Sequence, residues 1–171
     1  MQVMGVPFRH GGREVMMVTT AKGRWTFPKG LVERELTLEE ACAKEVLEEG
    51  GVEGELRGAG ASFRYVKDDW GGPDGVICEV HLFTLDVTVS YEQGDARWPD
   101  DGEGSREFRE RKWFDTAAIA EAVSSTMATI AAKGDGKGKK GEKGKAAKPP
   151  FKVAKAAANQ AVLDLLVAMT T

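Results

Sequence analysis

The feature that most constrains the fold is a short helix with capping signals at both ends. Thr37 followed by Glu40 has the spacing of a capping box, in which a hydroxyl and a carboxylate each accept a hydrogen bond from an amide at the helix start. Gly50 and Gly51 then have the character of a C-terminal stop. Together these signals predict a helix over Leu38–Glu49.

Three carboxylates crowd the last turn of this predicted helix. Glu45, Glu48 and Glu49 stand at positions i, i+3 and i+4, so they face the same space within an arc of roughly 100°. They repel one another, and the helix C-terminus opposes each acid by roughly 0.3–1 kcal/mol. A bound Mg²⁺ ion would remove both penalties. The alternative interpretation is a solvated acidic face on an amphipathic helix, and the helix alone leaves both open.

The residues around this helix resemble the Nudix box, whose usual form is G, five residues, E, seven residues, REUxEExGU, with U an aliphatic residue. The segment FPKG precedes the helix and KEVLEEGGV closes it. Two positions depart from the pattern, because Leu36 replaces the first glutamate and Lys44 replaces the arginine. In the family these two positions usually form an ion pair, and this chain changes both partners together. The matching residues are Gly30, Glu45, Val46, Glu48, Glu49, Gly51 and Val52.

The resemblance covers roughly residues 2–125. It is carried further by SFRYVKDD, CEVHLFTLDVTV and RERKWFDTAAIAEAV, and it is to the branch that hydrolyses diphosphoinositol and diadenosine polyphosphates. It implies an α/β/α sandwich with a mixed β-sheet between helices, which the interspersed strand-like and helical segments also indicate. It also implies a phosphoanhydride hydrolase that uses Mg²⁺, with Mn²⁺ as a substitute.

The resemblance assigns roles to the acids of the helix. Glu48 and Glu49 are the implied ligand pair for the metal, and the carbonyl of Gly30 completes the metal shell. Glu45 is either a further ligand or the base that orients the attacking water. A metal held in this way bridges phosphate oxygens and acidifies bound water, so the three acids are both metal-binding and catalytic candidates.

A polyphosphate substrate also needs cationic side chains. Lys29 is the first candidate, because FPKG places it directly before the glycine of the box. For each of the others, a solvated surface charge is the competing interpretation. These other substrate-binding candidates are Arg9, Arg24, Arg64 and Lys67, with His10 beside the first.

Composition divides the chain into three predicted parts. Residues 1–132 form the Nudix-like domain. Residues 133–150 contain seven lysines against two acids, and their glycines and prolines leave nothing to pack, which predicts a flexible linker. Residues 151–171 are predicted to form an amphipathic C-terminal helix that docks on its own domain or on a partner subunit, the second case giving self-association.

Other function classes receive little support. No apolar run approaches 18 residues, so no membrane span is expected, and the N-terminus lacks the pattern of a secretory signal. Cys42 and Cys78 lie among apolar residues without metal-ligand spacing, which predicts reduced core thiols in a cytoplasmic protein. His81, alone in an apolar strand, is expected to be structural. No aromatic residue interleaves with the lysines of the linker, so no specific nucleic-acid binding is expected.

The sequence therefore predicts Mg²⁺-dependent hydrolysis of phosphoanhydride bonds in diphosphoinositol polyphosphates or dinucleoside polyphosphates. Two alternatives stay open. The first is a sensor that binds phosphorylated ligands and has lost turnover, motivated by Leu36 and Lys44. The second is an RNA-end hydrolase guided by the lysine-rich tract of residues 133–150.

Overall fold

The computed structural model describes residues 1–20, 23–67, 76–98, 110–124 and 156–170. Within these ranges the chain forms seven strands and three helices. The strands are β1 Gln2–Arg9, β2 Glu14–Thr19, β3 Trp25–Thr26, β4 Lys29–Leu31, β5 Val52–Lys67, β6 Val76–Ser90 and β7 Arg111–Asp115. The helices are α1 Leu38–Gly50, α2 at residues 116–124 and α3 Ala156–Thr170.

All seven strands belong to one mixed sheet. Its main order is β3-β2-β1-β6-β5, and among the strands that the structure describes only β1 and β6 pair in parallel. One edge of β1 is shared by two partners, since β4 pairs with Gln2–Met4 and β2 pairs with Phe8 and Arg9. The backbone between these partners is bridged by a hydrogen bond from the Gly5 amide to the Pro28 carbonyl at 3.0 Å. This sharing brings β4 beside the central strand.

Alternation along the strands sorts side chains onto two faces of the sheet. Val3 and Gly5 face α1, and a Cβ at Gly5 would lie 2.3 Å from Cγ2 of Val46. The α1-side core consists of Val3, Met16, Ala41, Cys42, Val46, Val52, Phe83 and Leu85. The far-side core consists of Met4, Val6, Val15, Met17, Phe27, Phe63, Val80, Leu82, Ile119, Val123 and Leu166. The predicted sandwich of helices on both faces of a mixed sheet is confirmed.

The helix α1 begins and ends as its capping residues predict. The side chain of Thr37 accepts from the Glu40 amide at 3.2 Å, while the Glu40 carboxylate accepts from the Thr37 amide at 2.8 Å. At the other end Gly51 adopts φ 62° and ψ 34°, a left-handed conformation, and donates its N–H to the carbonyl of Leu47 at 2.8 Å. The helix extends one residue beyond the predicted range, to Gly50.

The predicted C-terminal helix is present as α3 and packs on its own sheet. Leu166 is fully buried in the far-side core, and its neighbours Val162 and Leu165 pack against the same cluster. The carbonyl of Met169 lies so close to Gly12 that a Cβ there would approach it to 2.5 Å. The predicted linker of residues 133–150 lies outside the described residues. Among those described, no helix has the length and apolar character needed to cross a bilayer.

Both cysteines are free and buried, as the sequence predicts. Burial is the main cause that raises the pKa of the Cys42 thiol to about 12, and the negative charges of Glu45 and Glu39 add to the effect. The Cys42 thiol is therefore protonated and unreactive at neutral pH.

Candidate active site

The three acids near the end of α1 are half-buried, and two of them face strand β4. The carboxylate of Glu49 accepts a hydrogen bond from the backbone amide of Lys29 at 3.0 Å. The carboxylate of Glu45 lies against Gly30, where an added Cβ would fall 1.7 Å from its Oε1. Only glycine fits at position 30 with Glu45 in this place. Two of the predicted acids and the predicted backbone position therefore form one cluster, which we call the acid cradle: Gly30, Glu45 and Glu49, with the Lys29 amide.

Glu48, the third acid, lies beside Lys44 on the same helix. The ammonium of Lys44 is 3.9 Å from Oε1 of Glu48, and it forms an ion pair with Glu33 in the loop before the helix. The hydrogen bond to Glu33 is the main cause that raises the pKa of Lys44, and the charges of Glu48, Glu33 and Glu45 act in the same direction. The acidic turn is thus balanced in part by a lysine.

The donor set of this cluster has the chemistry of a hard-cation site. Its donors are carboxylate oxygens, which Mg²⁺ and Mn²⁺ prefer to nitrogen or sulfur. Across the described ranges, no three His, Cys, Asp or Glu side chains converge in an arrangement that would hold a metal ion. Glu45 and Glu49 contact consecutive residues of β4, whereas Glu48 is turned toward Lys44.

Comparison with known proteins identifies the family. The model of the NUDIX domain family matches residues 1–133. The chain belongs to the Nudix family. It is 32% identical to Nudix hydrolase 4 of Arabidopsis thaliana over 66% of this chain and 54% of that protein. It is 33% identical to the chloroplastic Nudix hydrolase 21 of the same plant over 71% of this chain and 58% of that protein. The chain thus spans a little more than half the length of these relatives.

A solved structure supports the same fold. The chain superimposes on a Nudix hydrolase from Nitrosomonas europaea with a TM-score of 0.52, at 20% identity, over 69% of this chain and 73% of that one. This likeness concerns the fold alone.

The structure explains how this chain tolerates its two departures from the Nudix box. Leu36 packs against the α1-side core, where a glutamate would be buried among apolar groups. Lys44 pairs instead with Glu33, which lies in the loop before α1, three residues before Leu36. The ion pair that the resemblance implied to be lost is therefore present with a different acid.

The C-terminal end of α1 is bound by two residues from distant parts of the chain. The indole N–H of Trp98 donates to the carbonyl of Glu48 at 2.9 Å, and Arg111 donates to the carbonyl of Gly50 at 2.8 Å. The guanidinium of Arg111 also lies 4.8 Å from the centre of the Trp98 ring. Arg111 is half-buried, and this burial lowers its pKa. The Nudix helix thus receives at its end the cation that its own last turn lacks.

Sequence reasoning had given Trp98 and Arg111 no role in the site. Trp98 occupies the space beside Gly51, where an added Cβ would come within 2.4 Å of its ring. Arg111 reaches the helix because β7 pairs with β2, which places Arg111 opposite Val18. Neither contact follows from spacing along the sequence. The only available signal was the cluster of basic and aromatic residues around Arg111.

Lys29 contacts the acid cradle with its backbone amide, and its side chain lies elsewhere. Its neighbour Gly30 faces α1, so the side chain of Lys29 points to the other face of the sheet, as does that of its cross-strand partner Met4. The ammonium lies 5.9 Å from the centre of the Tyr65 ring, which packs on the far-side core. The predicted contact between this ammonium and a substrate at the acids is therefore not supported by the geometry.

The other predicted cations are dispersed. Arg9 is paired with Glu14 at 2.8 Å, and five residues of extended strand, about 17 Å, separate it from the partner of Lys29 in β1. Arg24 is exposed in the turn before β3. Arg64 is paired with Glu79 at 3.0 Å on the face of the sheet that α1 covers. The side chain of Lys67 lies outside the described part of the chain.

His81 lies on the same face as the acids. It is opposite Val3, which is in turn opposite Gly30, so these three residues form one row across the sheet. Its Nε2 is buried without a hydrogen-bond partner among the described residues. His81 is predicted to be structural, but its Nε2 makes no hydrogen bond within the described residues that would account for such a role.

Proposed function

We propose that the chain is a Mg²⁺-dependent Nudix pyrophosphohydrolase, with Mn²⁺ as an alternative metal. The proposed reaction is the attack of water on a phosphoanhydride bond. The observation that carries this proposal is the acid cradle, in which Glu45 lies against Gly30 and Glu49 accepts from the Lys29 amide. A solvated acidic face would not need a glycine at position 30 or an amide aimed at position 49.

The residues that would hold the metal are Glu45, Glu48, Glu49 and the carbonyl of Gly30. A bound divalent cation supplies neutralisation of phosphate charge and a more acidic water. The protein's own contribution is to fix the oxygens. The Lys29 amide orients Glu49, and the close approach of Gly30 sets the position of Glu45.

Glu45 has two proposed roles, that of a metal ligand and that of a general base. As a ligand it would share the metal with Glu49. As a base it would accept a proton from the attacking water, and its half-buried position against Gly30 limits competing hydration. Trp98 supports either role, because its bond to the Glu48 carbonyl holds the last turn of α1 in place.

The proposed substrates are diphosphoinositol polyphosphates or dinucleoside polyphosphates, as the branch resemblance in residues 2–125 suggests. Of the predicted cations, Arg64 is the candidate for contact with the substrate, because it lies on the α1 side of the sheet. Arg9, Arg24 and Lys67 stay predictions, as do self-association through α3 and the cytoplasmic location. The relatives named above include a chloroplastic protein.

The proposal is tested with purified chain, Mg²⁺ and a panel of diphosphoinositol and dinucleoside polyphosphates, with release of phosphate products as the readout. Glu49→Gln keeps an oxygen that accepts from the Lys29 amide but removes the charge. We expect this change to lower kcat/KM by at least about 100-fold, and we expect the same of Glu48→Gln. The matched control is Glu39→Gln, an exposed acid in the first turn of the same helix. Undiminished activity in either site variant would contradict the proposal.

A second candidate function is a sensor that binds phosphorylated ligands without cleaving them. It is favoured by one observation, that Glu48 is turned toward Lys44 and no three acids converge among the described residues. Tight binding of a polyphosphate with no product from any member of the panel would favour the sensor. The RNA-end alternative depends on residues 133–150, which are not described. If truncation after Ala132 leaves activity on capped RNA unchanged, the lysine-rich tract does not guide the enzyme.

A further inference from the structure

Lys44 lies between two carboxylates that belong to different parts of the chain. Glu33 comes from the loop before α1 and forms the ion pair, while Glu48 lies one helical turn further on at 3.9 Å, beyond hydrogen-bond distance. The side chain of Glu48 is 25% exposed and that of Glu33 is 54% exposed. The lysine is therefore hydrogen-bonded to the more exposed acid and forms only a longer ion pair, without a hydrogen bond, with the more buried one.

The loop before α1 explains why Glu33 can reach this lysine. The amide of Leu36 donates to the carbonyl of Glu33 at 3.2 Å, closing a tight turn, and the side chain of Leu36 packs inward on the α1-side core. The next residue, Thr37, is fixed as the helix cap. With both ends of the turn anchored, Glu33 is directed outward to the helix position of Lys44.

Without Glu33, Glu48 is the natural partner of Lys44. A lysine and a glutamate four residues apart on one helix face are neighbours, and their side chains can form an ion pair, although the order with the lysine first is the weaker of the two. A lysine bonded to Glu48 would occupy the same oxygens that a divalent cation needs. Both are cations, so binding of one to the carboxylate opposes binding of the other.

We propose that Glu33 is a positioning residue that keeps Lys44 from hydrogen-bonding Glu48 and so keeps the Glu48 carboxylate available to a divalent cation. This inference rests on the proposed function, because it assumes that Glu48 binds metal. The raised pKa of Lys44 agrees with it, since the bond to Glu33 is the largest cause and the charge of Glu48 a smaller one.

The experiment is a calorimetric titration of the full chain with Mg²⁺ and with Mn²⁺, without substrate. Glu33→Gln removes the partner of Lys44, and we expect metal binding to weaken by about two- to five-fold, the range for a partly exposed ion pair. Glu35→Gln is the matched control, an exposed acid of the same loop, and it should bind as the parent chain does.

A double variant separates positioning from simple tethering of the loop. In Glu33→Gln combined with Lys44→Gln no ammonium is left to occupy Glu48, so metal affinity should return to the parent value. Lys44→Gln alone should bind at least as tightly as the parent chain. The inference is overturned if Glu33→Gln binds like the parent, or if the double variant stays as weak as Glu33→Gln.

The same titration distinguishes this failure from failure of the proposed function. Absence of divalent binding in the parent chain would remove the metal site itself, and the inference with it. If the parent chain binds the divalent cation and Glu33→Gln binds it equally well, only the inference about Glu33 is wrong. Thermal unfolding of each variant, measured alongside, confirms that the compared proteins are folded.

Discussion

At the N-terminal end of α1, the amides are bound within four residues of sequence, by Thr37 and Glu40. At the C-terminal end, the carbonyls are bound by Trp98 and Arg111, which lie on a later loop and strand. One end is thus complete in itself, and the other depends on the assembled sheet. Because the candidate catalytic acids lie at the second end, their arrangement depends on tertiary structure as well as on the helix.

The largest expected effect comes from changing the glycine of the acid cradle. In Gly30→Ala the new Cβ would fall 1.7 Å from Glu45 Oε1, so the carboxylate must move. We expect a loss of about 100-fold in kcat/KM, since displacement of a catalytic group by about 1 Å has that effect. Gly58→Ala is the control, because its Cβ meets only Phe83 at 3.9 Å. Equal activities in the two variants would show that the cradle is not catalytic.

The next effect tests the non-local end of α1 through stability. Arg111→Met removes the charge-assisted hydrogen bond to the Gly50 carbonyl, and we expect the free energy of unfolding to fall by about 1.5–3 kcal/mol in urea denaturation. The control is Lys112→Met on the same strand, which is exposed and should change the free energy by less than about 0.5 kcal/mol. A loss in Lys112→Met as large as in Arg111→Met would refute a specific role for Arg111.

The local end should affect stability without affecting chemistry. Thr37→Ala removes the helix cap, and we expect a loss of about 1 kcal/mol in the free energy of unfolding. The kcat should stay at the parent value, because the cap is about two to three helical turns from the acids. A clear fall in kcat in this variant, measured below its unfolding temperature, would show that the two ends are coupled.

The smallest expected effect is on how the contribution of this cap to the free energy of unfolding changes with pH. The hydrogen bond from the Thr37 backbone, and then that from its side chain, lower the pKa of Glu40 below its ordinary value of 4.5. A lowered pKa in the folded state means that Glu40 stabilises the fold above pH 4.5 and that this contribution is lost as the pH falls below that value. The difference in unfolding free energy between parent and Glu40→Gln should therefore shrink from pH 6 to pH 3. A constant difference would exclude the carboxylate as its source.

The same contrast explains what the sequence could predict. The limits of α1, its capping box and its left-handed stop follow from neighbours in the sequence, and they are confirmed to within one residue. The two-sided sheet follows from the alternation of apolar residues. The motif grouped Glu45, Glu49 and Gly30, and the structure places Glu45 against Gly30 and Glu49 on the amide of the adjacent Lys29.

The contacts that the sequence could not predict depend on how the strands pair. The face of the Lys29 side chain depends on its register with Met4, and the reach of Arg111 depends on its register with Val18. Similarly, Lys44 appeared to have lost its partner because Glu33 is not at the motif position, although the turn at Leu36 brings it close. In each case the two residues are brought together by strand register or by a turn, and neither can be read from the residues next to them in the sequence.

The parallel pairing of β1 with β6 has a consequence for how the molecule forms. Gln2 lies opposite Val80, so the central strand acquires this neighbour only after most of the domain has left the ribosome. Such long-range closure is slow compared with the winding of a capped helix. The helix that carries the acids can therefore form early in synthesis, whereas β6 beside the central strand and Arg111 at the end of the helix are synthesised later, so the acids gain their full set of tertiary contacts late in folding.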